Sequence, residues 1–125
     1  SWRLRVRRDV HRRPVASARS TSRPLADRSV LFVIEIMTFR LAVGVDESMF
    51  RAVDERVQVE FAYHQPGFLR RTLGRHDDGR WLILTIWADP DAAGAAAQAF
   101  ERSDLAEAFR SLLTDTAVER FRGVG

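Results

Sequence analysis

The chain has no cysteine and no lysine. The first absence excludes disulfides, zinc ribbons, iron–sulfur clusters and thiol nucleophiles. The second makes every one of its 20 basic residues an arginine, and so excludes a Schiff-base mechanism and a lysine-bearing phosphate loop. Only three histidines occur, His11, His64 and His76. They lack the spacing of a metal site, which must bring several ligands together. No stretch reaches the roughly 18 consecutive apolar residues of a membrane span. The apolar run Val30 to Ile34 is too short for a signal-peptide core of about 7–15 residues. No Ser-His-Asp motif, glycine-rich phosphate loop or paired-carboxylate signature stands out. The expectation is a cytoplasmic protein with no membrane partner and no metal.

What is present fits one modest globular domain, since the chain has 125 residues with 46% apolar and 30% charged side chains. Its richness in Arg, Ala, Asp and Val is a composition associated with GC-rich bacterial genes. Charge is unevenly placed. Residues 1–28 hold nine Arg against Asp9 and Asp27, a balance of +7, whereas residues 29–125 hold eleven Arg against fifteen acids, a balance of −4, which together make the net +3. The high isoelectric point therefore belongs to the first segment, and the remainder is mildly acidic, which argues against a nucleic-acid-binding domain. Residues 1–29 lack apolar periodicity and are rich in Arg and Ser, with Pro14 and Pro24. They read as a disordered basic extension ahead of a domain at 30–125. Three readings of it stay open: a basic arm for nucleic acid or acidic lipid, a targeting leader, or non-native sequence before a start near Met37. Nucleic acid is a partner only if the extension is native.

The domain reads as alternating elements. Val30 to Leu41 is apolar on both faces, as a strand covered on both sides is. Asp46 is a good N-cap for a helix from about Glu47 to His64, whose Phe50, Val53, Val57, Phe61 and His64 fall on one stripe. Gln65-Pro66-Gly67 stops it. Phe68 to Arg75 and Arg80 to Ala88 form a hairpin around Asp78-Gly79. Asp89-Pro90 opens a second helix with a small buried stripe of Ala93, Ala96, Ala97 and Phe100. Ser103-Asp104 breaks and re-caps it, Leu105 to Leu113 form a further amphipathic piece, and Ala117 to Arg122 a last strand. The order β-α-β-β-α-β predicts an α+β, ferredoxin-like domain, an antiparallel sheet with two helices on one face. Strands apolar on the other face too predict that a second copy covers it.

The Gln65-Pro66-Gly67-Phe68 helix exit, the Asp78-Gly79 hairpin, the Leu84-Thr85-Ile86-Trp87 strand end and the Phe100…Ser103-Asp104…Phe109 double helix carry a resemblance. From Val33 to about Leu113 the chain resembles the antibiotic biosynthesis monooxygenase-like domains of the dimeric α+β barrel superfamily. The resemblance implies a homodimer through the sheet face. It also implies a small-molecule site that serves either a cofactor-free monooxygenase acting on an aromatic or polyketide-like substrate, or a non-catalytic binding or assembly module. Members of the haem-degrading branch carry a Trp in the second helix and a haem-ligating His some ten residues on. Here those positions are Phe100 and Arg110 (or Phe109), and no His follows His76, so the expectation is no cofactor.

A cofactor-free site needs aromatic walls and a base or polar anchor. Phe50, Phe61, Trp81, Trp87 and Phe100 are the candidate walls, and His64 with Asp54 the candidate catalytic groups. Each has a plainer role available. His64 can cap a helix C-terminus, Asp54 can pair with a sheet arginine such as Arg70 or Arg40, and Trp81 and Trp87 can be core or dimer contacts. Helix rise puts Asp54 and His64 about 15 Å apart, too far for a hydrogen-bonded dyad.

Overall fold

The computed structural model describes residues 32–125. The basic extension expected at 1–29, and Val30 and Leu31 of the expected first strand, lie outside the described residues. Four strands, β1 (Val33–Leu41), β2 (Phe68–Arg75), β3 (Trp81–Trp87) and β4 (Leu113–Arg122), form one antiparallel sheet in the order β2-β3-β1-β4. Helices α1 (Glu47–Arg56), α2 (Pro90–Glu101) and α3 (Leu105–Arg110) connect them. The expected α+β, β-α-β-β-α-β architecture is the observed one. The last strand begins earlier than expected, at Leu113, because its exposed polar residues Thr114 to Thr116 hide an edge strand from hydropathy.

Local chemistry explains the element starts. The Asp46 carboxylate accepts from the Met49 N–H at 2.9 Å, and the Asp89 carboxylate from the Ala92 N–H at 2.8 Å, each satisfying a helix N–H that has no partner in its own turn. Asp104 makes no such bond; α3 begins without a side-chain cap. At the helix exit Gly67 has φ +81°, and a Cβ there would lie 2.5 Å from the Ala92 Cβ, so only glycine lets this turn close on α2.

Two irregularities re-aim side chains. After α1 the chain widens into a π turn, Val57–Phe61, then tightens into a 3₁₀ turn, Ala62–His64. The extra residue in the π turn shifts the phase of the apolar stripe. Val57 and Ala62 are buried, Gln65 is half-buried, and His64 points outward and is exposed, contrary to the expected stripe. In β2 a bulge at Leu69 sets Phe68 opposite Trp87 but Arg70 opposite Ile86. Without it Arg70 would share the face of Phe68. With it Arg71 takes that face.

The core lies between the helices and the inner face of the sheet. Phe39 from β1, Phe50 from α1 and Trp81 from β3 pack at centroid distances of 5.1–6.4 Å, and Phe109 stands 6.0 Å from Phe50. The outer face carries Ile34, Ile36, Leu82, Leu84 and Ile86. Phe32 covers one end of it, with its ring so close over Gly123 that any side chain there would collide.

Candidate functional site

Away from the Phe39–Phe50–Trp81 cluster, the same inner face is not filled. Helix α2 meets it with Ala93, Ala96 and Ala97, and three methyl groups cannot occupy the space that aromatic rings fill at the other end. The result is a cavity of about 610 Å³, within the range of small-molecule sites. Val57 and Phe61 of the widened turn, Ala62 of the tighter turn after it, Phe100 of α2, Phe109 of α3 and Trp87, Ile83 and Met37 of the sheet wall it. Of its residues on β4, Leu113 is half-buried and Thr116, Val118 and Arg120 are exposed, as are Ala97, Glu101 and Arg110. The cavity therefore opens between β4 and the α2–α3 corner, where an Arg110–Glu101 ion pair stands.

Its floor is crossed by one polar row. Arg71 of β2 lies opposite Thr85 of β3, Thr85 opposite Glu35 of β1, and Glu35 opposite Arg120 of β4. All four line the cavity. Neighbouring strands are about 4.8 Å apart, so the row presents a donor, a hydroxyl, an acceptor and a donor at that interval. Arg71 is held from behind. Its Nη2 donates to Asp54 Oδ1 at 2.7 Å and its Nη1 to Asp54 Oδ2 at 3.2 Å and Gln58 Oε1 at 3.3 Å. The two side chains are 6% and 8% exposed, so each charge depends on the other. Glu35 accepts from Arg120 Nε at 2.8 Å and from Trp87 Nε1 at a long 3.4 Å.

Comparison with solved structures decides the fold family. A point variant of SnoaB, a cofactor-independent oxygenase from Streptomyces nogalater, is 28% identical over 75% of this chain and 94% of its own, with a TM-score of 0.64. Structures described as antibiotic biosynthesis monooxygenases from Caulobacter crescentus and Chloroflexus aurantiacus match at 16% and 20% identity with TM-scores of 0.62 and 0.59, over 78% and 75% of this chain and 94% of each of theirs. The chain has the antibiotic biosynthesis monooxygenase-like fold. No family model matches the sequence, and no curated protein sequence matches it.

On this monooxygenase-like fold the candidates named from sequence separate. Phe61, Trp87 and Phe100 line the cavity. Phe50 and Trp81 do not: they are 0% and 5% exposed and stack with Phe39 in the core, at the hairpin end of the sheet. Asp54 is buried, but it faces a shallow polar groove between α1 and β2, and its partner is Arg71 rather than Arg70 or Arg40. The bulge at Leu69 is the reason. His64 lines neither space. Phe100, Phe109 and Arg110, where the haem-degrading branch has Trp and His, all line the cavity.

Sequence reasoning missed the whole polar row, Arg71, Thr85, Glu35 and Arg120. The available signal was a single carboxylate inside the apolar strand Val33-Ile34-Glu35-Ile36-Met37, since an unpaired charge is expensive there. Three exposed carboxylates are held below their ordinary range. Asp46 is lowered mainly by the Met49 N–H and then by Ser48, Glu60 by its hydrogen bond with Arg56, and Asp78 by the Arg80 N–H.

Proposed function

We propose that the protein binds a small, largely apolar aromatic or polyketide-like molecule in the cavity under α2 and oxidises it with dioxygen, without a cofactor. The observation that supports this best is the pairing of a 610 Å³ aromatic-walled cavity with a single polar row across its floor. The likeness to SnoaB, described as a cofactor-independent oxygenase, supports the reaction class. In such a reaction a substrate CH₂ becomes C=O. One atom of O₂ enters the carbonyl, and the other leaves as water with the two hydrogens. The protein's part is to exclude water with Phe61, Phe100 and Phe109, and to place donors where the substrate oxygen becomes negative. Arg71 and Arg120 are such donors.

The active form is a homodimer in this reading, with the outer face of Ile34, Ile36, Leu82 and Leu84 covered by a second copy. Sedimentation equilibrium should return twice the chain mass; a single chain mass removes that part. Anthrone in an oxygen-electrode cell tests the reaction. Enzyme-dependent uptake of one O₂ per anthrone converted is the expected result. Tight binding of anthrone with no uptake would make the protein a binding module instead.

A further inference from the structure

Two polar groups face the cavity with capacity unspent. An ionised carboxylate accepts up to about four hydrogen bonds, and Glu35 accepts two, one of them the 3.4 Å contact with Trp87. That contact is longer than the usual N–H···O distance of about 2.9–3.0 Å. The Trp87 Nε1–H is thus poorly used on a side chain only 5% exposed, although a buried indole N–H ordinarily finds a close partner. The other bond of Glu35 comes from Arg120, which reaches in from the exposed edge strand β4 and also points Nη2 at the Ala93 carbonyl at 3.5 Å. Arg120 therefore spans the mouth from β4 to the first turn of α2. Thr85 and Arg71 continue the polar row beside this pair, and the walls above the row are methyl groups and aromatic rings.

From this we infer that Glu35, together with Trp87, is the specificity-determining pair of the cavity and selects ligands that carry a hydroxyl on an aromatic ring. The inference rests on the cavity being a ligand site. A hydroxyl serves both unspent groups: its hydrogen goes to a Glu35 oxygen, and its oxygen accepts from Trp87 Nε1–H. An apolar ring without the hydroxyl leaves both as they are and gains only burial. Arg120 holds the Glu35 side chain toward the floor and acts as a positioning residue.

The test measures dissociation constants of naphthalene and 2-naphthol by calorimetric titration of the full chain, in the wild type, in Glu35→Met and in Trp87→Phe. Glu35→Met keeps the length of the side chain and removes the acceptor. The wild type should bind 2-naphthol about tenfold more tightly than naphthalene, the net worth of one hydrogen bond to a charged group. Glu35→Met should bring the ratio near one with naphthalene affinity unchanged, a pattern that general destabilisation does not produce. Trp87→Phe keeps an aromatic wall and removes the indole N–H, and it should reduce the preference for the hydroxyl. Equal binding of both compounds by the wild type, or a preference that survives in Glu35→Met, overturns the assignment while leaving the cavity as a binding site. A preference undiminished in Trp87→Phe removes the indole from the pair and also overturns it. Binding of neither compound removes the cavity reading itself.

Discussion

The two ends of the sheet's inner face differ in one respect that governs the rest: what the opposing helix brings to them. At the hairpin end α1 brings Phe50, which fills the space against Phe39 and Trp81 and is fully buried. At the other end α2 brings Ala93, Ala96 and Ala97, and the space stays open. Strand β3 brings a tryptophan to each end, Trp81 and Trp87, on the same face. Aromatic residues on a strand therefore do not by themselves announce a pocket. The size of the residues facing them decides between core and cavity.

The difference can be broken from either side. Truncating the packed end has the largest expected effect. Phe50→Ala should cost about 3–5 kcal/mol in urea unfolding, because the removed ring leaves a void among groups that relax only partly. Asp54→Ala should cost a comparable amount, about 3–5 kcal/mol, by leaving the Arg71 guanidinium buried without its counter-charge. Replacing both Asp54 and Arg71 with apolar residues should recover much of that loss, and a double-mutant cycle measures how much. At the open end the sign differs. Ala96→Leu puts new methyl groups into existing space, so stability should change by less than about 1 kcal/mol, whereas binding of an aromatic ligand by calorimetry should fall at least tenfold. A large loss of stability in that variant would show the α2 end to be as tightly packed as the other.

The smallest effect separates the surface from both. Asp46, Glu60 and Asp78 are held below their ordinary values of 3.8, 4.5 and 3.8. The unfolded chain then binds more protons than the folded one as these groups titrate. Their contribution to stability is present above those values and is lost as pH falls through and below them. Melting temperature followed from pH 6 to pH 2 should decline accordingly. In Asp46→Asn, which can still cap α1, the decline should be slightly shallower.

Much of this architecture was legible in the sequence because its signals are local. Asp46, Asp89-Pro90, Gln65-Pro66-Gly67 and Asp78-Gly79 each act within a turn, and each marks an element boundary that the structure shows. What escaped depends on irregular backbone. The π turn at Val57–Phe61 takes His64 off the apolar stripe, and the bulge at Leu69 exchanges Arg70 for Arg71. A strict period of 3.6 or 2 cannot report either shift. The polar row escaped for another reason. Arg71, Thr85, Glu35 and Arg120 come from four strands, and only the sheet register places them side by side.

The central claim is that the open end is a ligand site rather than a packing defect. Thermal unfolding of the chain with and without 2-naphthol tests it most directly. At about 100 times the dissociation constant a ligand adds roughly 2.7 kcal/mol, which for a domain of this size is a rise on the order of 10 °C. The account predicts such a rise in the wild type and its absence in Ala96→Leu. An equal rise in both would place the ligand elsewhere on the protein, and no rise in the wild type would contradict the claim.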